Sequence, residues 1–184
     1  MASEEIIIKS QSQVDALPDD FHGVLLVRGT TAVVVKKRCH VIARDDSHVS
    51  AYGGCCVDAY DDSYVDAYDD SRVCAYDVSS VAGHDVCSIT ARGGSLISAQ
   101  DGCRVEAYDS SHVDARGSGI VTAYDDSCVD AHDGSRVDAY GMCCVDAYDG
   151  SCISAHDACR VKAWQGSRVF SADTSTVEIL PDIY

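Results

Sequence analysis

Seventeen eight-residue units run from Val41 to Thr176 without an insertion or deletion. That unbroken phase constrains the fold of this chain more than any other feature of it. Counting Val41 as position 1, position 1 is Val or Ile in all 17 units and position 3 is Ala in 15, with Gly83 and Ser171 as the exceptions. Position 5 is Asp in 12 units and Gly in four, and position 7 is Ser in 11 and Cys in five. From position 8 to position 4 polar and apolar residues alternate, which is the period of a half-buried strand. Positions 5 to 7 carry Asp, Gly and Ser, whose side chains or freedom from a Cβ suit tight turns. A helix is excluded, because a period of eight does not keep Val and Ala on one stripe and the turn residues would break it at every unit. One short strand cannot bury its apolar face alone, whereas stacked copies can. The expected fold is all-β, a parallel β-solenoid.

Eight residues are too few to close a ring, so a coil holds 16 or 24. At position 4, Arg recurs at Arg44, Arg92 and Arg116, and His at His84, His132 and His156, with every separation a multiple of 24. Gly93, Gly117 and Gly141 are also 24 apart. These columns predict a three-sided coil of 24 residues. The expected organisation is an N-terminal cap over 1–24, the solenoid over 25–176, and a C-terminal half-cap over 177–184. Residues 25–184 then make roughly 6.7 coils, a rod ~32 Å long at ~4.8 Å per rung.

Lys and Arg number 14 against 30 Asp and Glu, a net charge of −16. That balance argues against direct binding to nucleic acid or to an anionic membrane, and for solubility. There is no apolar run long enough to span a bilayer, and Met1–Glu5 lacks the basic and apolar regions of a secretory signal. The chain has 11 cysteines. Those at position 7 (Cys55, Cys87, Cys103, Cys143, Cys159) exchange with Ser and behave as small buried groups. None of the five lies 24 residues from another, so a 24-residue coil gives them no rung-to-rung partner. Cys128 and Cys152, both at position 8 and 24 apart, would be neighbours within disulfide range. Free thiols are the preferred reading and a bond remains open. Reduced thiols and the absent signal together point to a cytoplasm.

The segment Ile8-Lys9-Ser10-Gln11, then Ala16-Leu17-Pro18-Asp19-Asp20-Phe21-His22-Gly23, then Val41-Ile42-Ala43-Arg44-Asp45-Asp46-Ser47 resembles the octapeptide-repeat proteins of bacteria and their phages. The likeness extends over nearly the whole chain, and the leader is its more specific part. It implies a β-helix, a bacterial or phage-infected cell as the setting, and no known activity. This chain departs from Asn-Ser-rich and Arg-rich versions of the repeat by its Tyr, Asp and Cys content.

No catalytic residue, cofactor or metal is expected. Ser, His, Asp and Cys recur in equivalent positions on a convex rod, with no insertion to build a cleft. On a 24-residue coil the position 5 aspartates form two acidic edges that are candidate binding surfaces: Asp77, Asp101, Asp125 and Asp149, and Asp61, Asp85, Asp109, Asp133 and Asp157. Carboxylates on adjacent rungs can share a calcium ion, and His132 with His156 can clasp a transition metal. Turn-capping aspartates and surface histidines are the preferred readings. The leading functional expectation is a non-catalytic scaffold that presents repetitive faces and assembles with itself. Trp164, Phe170, Ile179, Leu180 and Tyr184 are the candidate contacts for a C-terminal dimer. The main rival is an acidic decoy of duplex DNA whose partner is a basic DNA-binding protein. Residues 25–184 carry −12, which is −16 less −4 for residues 1–24. Spread over ~32 Å, that is one charge per ~2.7 Å, against one per ~1.7 Å in DNA. A metal-binding ladder is the weaker alternative.

Overall fold

The computed structural model describes residues 5–164 and 166–181. Its strands form two parallel sheets that run the length of a β-solenoid. The first elements are β1 (Glu5–Ile8), α1 (Gln11–Asp15), β2 (Val24–Val27) and β3 (Ala32–Val35). From β4 (His40–Ala43) to β19 (Arg160–Trp164) a strand begins every eight residues, followed by β20 (Arg168–Ser171) and β21 (Thr176–Leu180). Strand β1 and the even-numbered strands make an 11-stranded sheet, and the odd-numbered strands from β3 onward make a 10-stranded one.

From β2 onward each strand pairs in register with the strand 16 residues away, as Val57 lies beside Val41 on one side and Val73 on the other; β1 pairs with β2 at a separation of 19. The coil is therefore two-sided with 16 residues, not three-sided with 24. Eleven rungs at ~4.8 Å make the rod ~48 Å long rather than ~32 Å.

The turn explains the coil size. The position 4 carbonyl accepts a hydrogen bond from the position 7 N–H, as in Tyr60 O from Ser63 N–H at 3.2 Å and His132 O from Ser135 N–H at 3.0 Å. That four-residue closure is a β-turn, which reverses the chain and sends the next strand back across the core. A triangular corner would need a more open bend. Every described position 5 residue has a positive φ, for example Asp61 at +57° and Gly93 at +67°. Glycine reaches that region without strain and Asp more readily than most residues, so Asp and Gly exchange there in 16 of the 17 units.

Positions 7, 1 and 3 point inward and positions 8, 2 and 4 outward. The interior is thin and made of Val, Ala, Ser and Cys, and most of these residues are wholly buried. One departure from the pattern is compensated locally. Position 3 is Gly83, and a Cβ added there would lie 2.6 Å from Ile89 Cδ1 and 3.2 Å from Cys103 Sγ. The larger Ile89, standing where most units have Val, occupies the space that Gly83 leaves.

The segment before β2 contributes to the sheets, because β1 is the first strand of the 11-stranded sheet. Val14 of α1 and Phe21 are buried in the core cluster, with Leu17 packed against it. The Gln11 side chain bonds both backbone groups of Val34, accepting from its N–H at 2.7 Å and donating to its carbonyl at 3.1 Å. It thus pairs with the free edge of β3 as a further strand would.

Candidate functional site: ladders, edges and the open end

Stacking at 16 residues makes aromatic ladders of the outward position 4 side chains. Beside the 11-stranded sheet, Tyr60 and Tyr76 stack at 4.8 Å between ring centres, and Tyr108, Tyr124, Tyr140 and His156 continue at 4.9, 5.5 and 4.7 Å. Arg44 lies 4.5 Å over Tyr60 and Arg92 4.6 Å over Tyr108. Beside the other sheet, Tyr52, Tyr68 and His84 stack at 4.4 and 4.7 Å, and His132, Tyr148 and Trp164 at 4.5 and 4.2 Å. These rows were invisible to a 24-residue register, which assigns Tyr124 and Tyr148 to one column. In the structure the two flank different sheets.

The expected acidic edges are redistributed for the same reason. Asp61, Asp77, Asp109, Asp125 and Asp157 line the turns that leave the 11-stranded sheet. Asp85, Asp101, Asp133 and Asp149 line the turns that leave the 10-stranded sheet. Each expected row alternates between opposite edges of the rod. These carboxylates also serve the turns. Asp69 accepts from Gly53 N–H at 3.2 Å, Asp109 from Gly93 N–H at 3.2 Å and Asp157 from Gly141 N–H at 3.0 Å. An Asp therefore ties its turn to the turn one rung earlier, rather than only capping its own. Histidines at position 8 reach the position 2 Asp of the next rung in the same way: His40 to Asp58 and His48 to Asp66 at 2.9 Å, and His112 to Asp130 at 3.3 Å.

His132 and His156 flank different sheets, stacked on Tyr148 and Tyr140 respectively, and do not form a clasp. Among the described residues no three His, Cys, Asp or Glu side chains converge to hold a metal ion. The charge argument for a DNA decoy also weakens. The same −12, spread over ~48 Å, is one charge per ~4 Å, less than half the density of the duplex.

Cys128 and Cys152 lie in strands of different sheets and are not neighbours. The position 7 cysteines, in contrast, do pair from rung to rung. Cys39 with Cys55, Cys87 with Cys103, and Cys143 with Cys159 are each 16 residues apart, and all six are buried free thiols. The neighbouring thiols of Cys39 and Cys55 shift each other in opposite directions, Cys39 upward and Cys55 downward. Cys87 and Cys103 repeat the arrangement, Cys87 upward and Cys103 downward. Cys55 also donates to Lys37 O at 2.9 Å and Cys87 to His84 O at 2.9 Å. A thiol at position 7 thus takes the place of the Ser hydroxyl, which at Ser111 and Ser127 donates to the carbonyl three residues earlier.

The two ends of the rod differ. Where β1, α1 and Gln11 cover the first rung, no described residue lies over β20 and β21. Ile179 is 79% exposed although it stands on the inward position 3, Val177 on position 1 is 37% exposed, and Phe170 on the outer face is 65% exposed. Trp164 is half-buried, stacked on Tyr148 and in register with Leu180, so it extends a ladder rather than standing clear of it. Tyr184 lies outside the described residues. No known protein family, curated protein or solved structure matches the chain.

Proposed function

We propose that this chain is a non-catalytic scaffold, a stiff rod with two ordered faces that assembles with a second copy of itself through its last described rung. The observation that carries this reading is the contrast between the ends. At the first rung a strand, a helix and the Gln11 amide occupy the sheet edges, which is how proteins prevent unwanted strand pairing. At the other end β20 and β21 leave backbone groups and inward apolar positions uncovered. A two-fold meeting of identical ends pairs edges with edges and buries Val177, Ile179 and Phe170 against their equivalents. Charges of both signs occur near this end: Lys162 is in register with Glu178, and Arg160, Arg168 and Asp173 lie on the neighbouring strands and turn. With the first rung covered, assembly stops at a dimer instead of growing into a filament. The octapeptide-repeat resemblance, which implies a β-helix without an activity, is consistent with such a role.

Sedimentation of the chain beside a Phe170→Ser, Ile179→Ser variant tests the reading. The expected result is a dimer for the first and a monomer for the second at tens of micromolar. A monomer in both rules out assembly through this end.

A further inference from the structure

One pair of thiols differs from the rest. Cys128 of β15 (Cys128–Ala131) and Cys144 of β17 (Cys144–Ala147) are directly opposite in register. They stand on the outward position 8, with Cys144 exposed and Cys128 half-buried. They are the only outward cysteines in register with another cysteine among the described residues. Asp130 and Asp146 stand in register on the same two strands, two residues along and on the same face. Both pairs line a groove of about 380 Å³ together with His112, Arg160 and Lys162, Arg160 being in register with Cys144 and Lys162 with Asp146.

Geometry separates two uses of such a pair. A disulfide wants Cβ atoms ~3.5–4.5 Å apart, whereas in-register parallel rungs hold equivalent atoms ~4.8 Å apart. A tetrahedral ion with metal–sulfur bonds of ~2.3 Å takes sulfurs ~3.8 Å apart, which two outward thiols on adjacent rungs reach by side-chain rotation alone. We propose that Cys128 and Cys144 form a two-thiolate clasp for a thiophilic divalent cation of the zinc and cadmium kind, with water completing the coordination.

Asp130 and Asp146 bring two carboxylates to the same face as the thiols, one rung apart. Burial first, then the charge and hydrogen bonding of Cys144, raise the pKa of the Cys128 thiol. Uptake of the ion displaces thiol protons into solvent. His112 Nε2 lies 3.3 Å from a carboxylate oxygen of Asp130 at the rim. The three inward pairs share the rung spacing but are buried, so they have no solvent access and do not take up the ion.

Cadmium ion alone is the probe, added to the reduced full chain. Thiolate-to-metal absorption in the ultraviolet and proton release are followed together, with circular dichroism as the check on folding. The expected result is uptake that falls by one ion per chain in Cys128→Ser, Cys144→Ser, with the fold retained. Cys56→Ser, Cys152→Ser, which removes two outward cysteines that have no cysteine in register, should leave uptake unchanged. An Asp130→Asn, Asp146→Asn variant should weaken it several-fold. Equal uptake in the Cys128→Ser, Cys144→Ser variant and the parent overturns the proposal. So does a parent that forms the 128–144 disulfide with a low-molecular-weight disulfide but takes up no cadmium.

Discussion

Gly83→Ala isolates the packing rule of the interior. The added Cβ would lie 2.6 Å from Ile89 Cδ1 and 3.2 Å from Cys103 Sγ, and the first of these contacts requires something to move. Overpacking of this kind costs about 1–3 kcal/mol in a close-packed core. Gly83 does not have a positive φ, so the backbone accepts Ala. The substitution also removes freedom from the unfolded chain, which returns about 0.4–1 kcal/mol. The expected net loss is about 1–2 kcal/mol. Ile89→Val alone removes the clashing methyl and leaves a gap next to Gly83, at about 0.5–1.5 kcal/mol. Together the substitutions restore the Ala and Val pairing found in most other units, and the double variant should be close to the parent. The coupling between the two sites is then about 1–3 kcal/mol in favour of the double variant, well above the scatter of independent sites. Urea unfolding midpoints of the four proteins, followed by circular dichroism, give the cycle. Additive effects would show that Gly83 and Ile89 do not share one space, and the two-sided packing derived from the 16-residue coil would be wrong there.

Two further outcomes follow from the turns and the ladders. Asp61 has a φ of +57°, so Asp61→Gly should be nearly neutral in a thermal melt, whereas Asp61→Val should cost about 1–2 kcal/mol because a Cβ-branched residue is disfavoured in that region; equal melting points would remove the left-handed turn from the explanation of the Asp–Gly exchange. Burial raises the pKa of Tyr64 and of Tyr76 above the usual 10.0, and neighbouring Asp66, or Cys74 with Asp58, adds to it. The folded chain therefore holds these protons more tightly than the unfolded chain, so this contribution is complete below pH 10 and is lost as pH rises toward the folded values. Tyrosinate absorbance should appear later in the folded protein than in urea, and coincident titrations would contradict it.

The strand and turn composition of the octad was legible because two chemical demands repeat at fixed positions: small apolar residues at 1 and 3, and residues tolerant of a left-handed backbone at 5. The coil size was not legible from the residues chosen to decide it. Arg44 and Arg92 are 48 apart and His84 and His132 are 48 apart, which both 16 and 24 divide, so those pairs carry no information. Only the Arg92–Arg116, His132–His156 and glycine spacings favoured 24; the arginines are exposed, the glycines occupy turns, and the histidines stack on tyrosines rather than on each other. Residues that do interact across rungs carry the true period. Cys39 and Cys55, Cys87 and Cys103, and Cys143 and Cys159 share the interior at a spacing of 16, and His40 with Asp58, His48 with Asp66 and His112 with Asp130 reach diagonally at 18, which is one coil plus two residues.

The Asp–Gly exchange at position 5 is the stronger physical signal. Residues that favour a positive φ, set two before a small buried one, describe a tight turn that reverses the chain. A reversal every eight residues closes a coil at 16, because two half-turns return the strand to its starting direction and three do not. The same closure accounts for the candidate surfaces. It brings Tyr108, Tyr124 and Tyr140 into one stack, sends Asp61 and Asp85 to opposite edges, and sets Cys128 beside Cys144 instead of Cys152. Every surface of this rod is thus a consequence of the coil number, and one turn residue, repeated, determines that number.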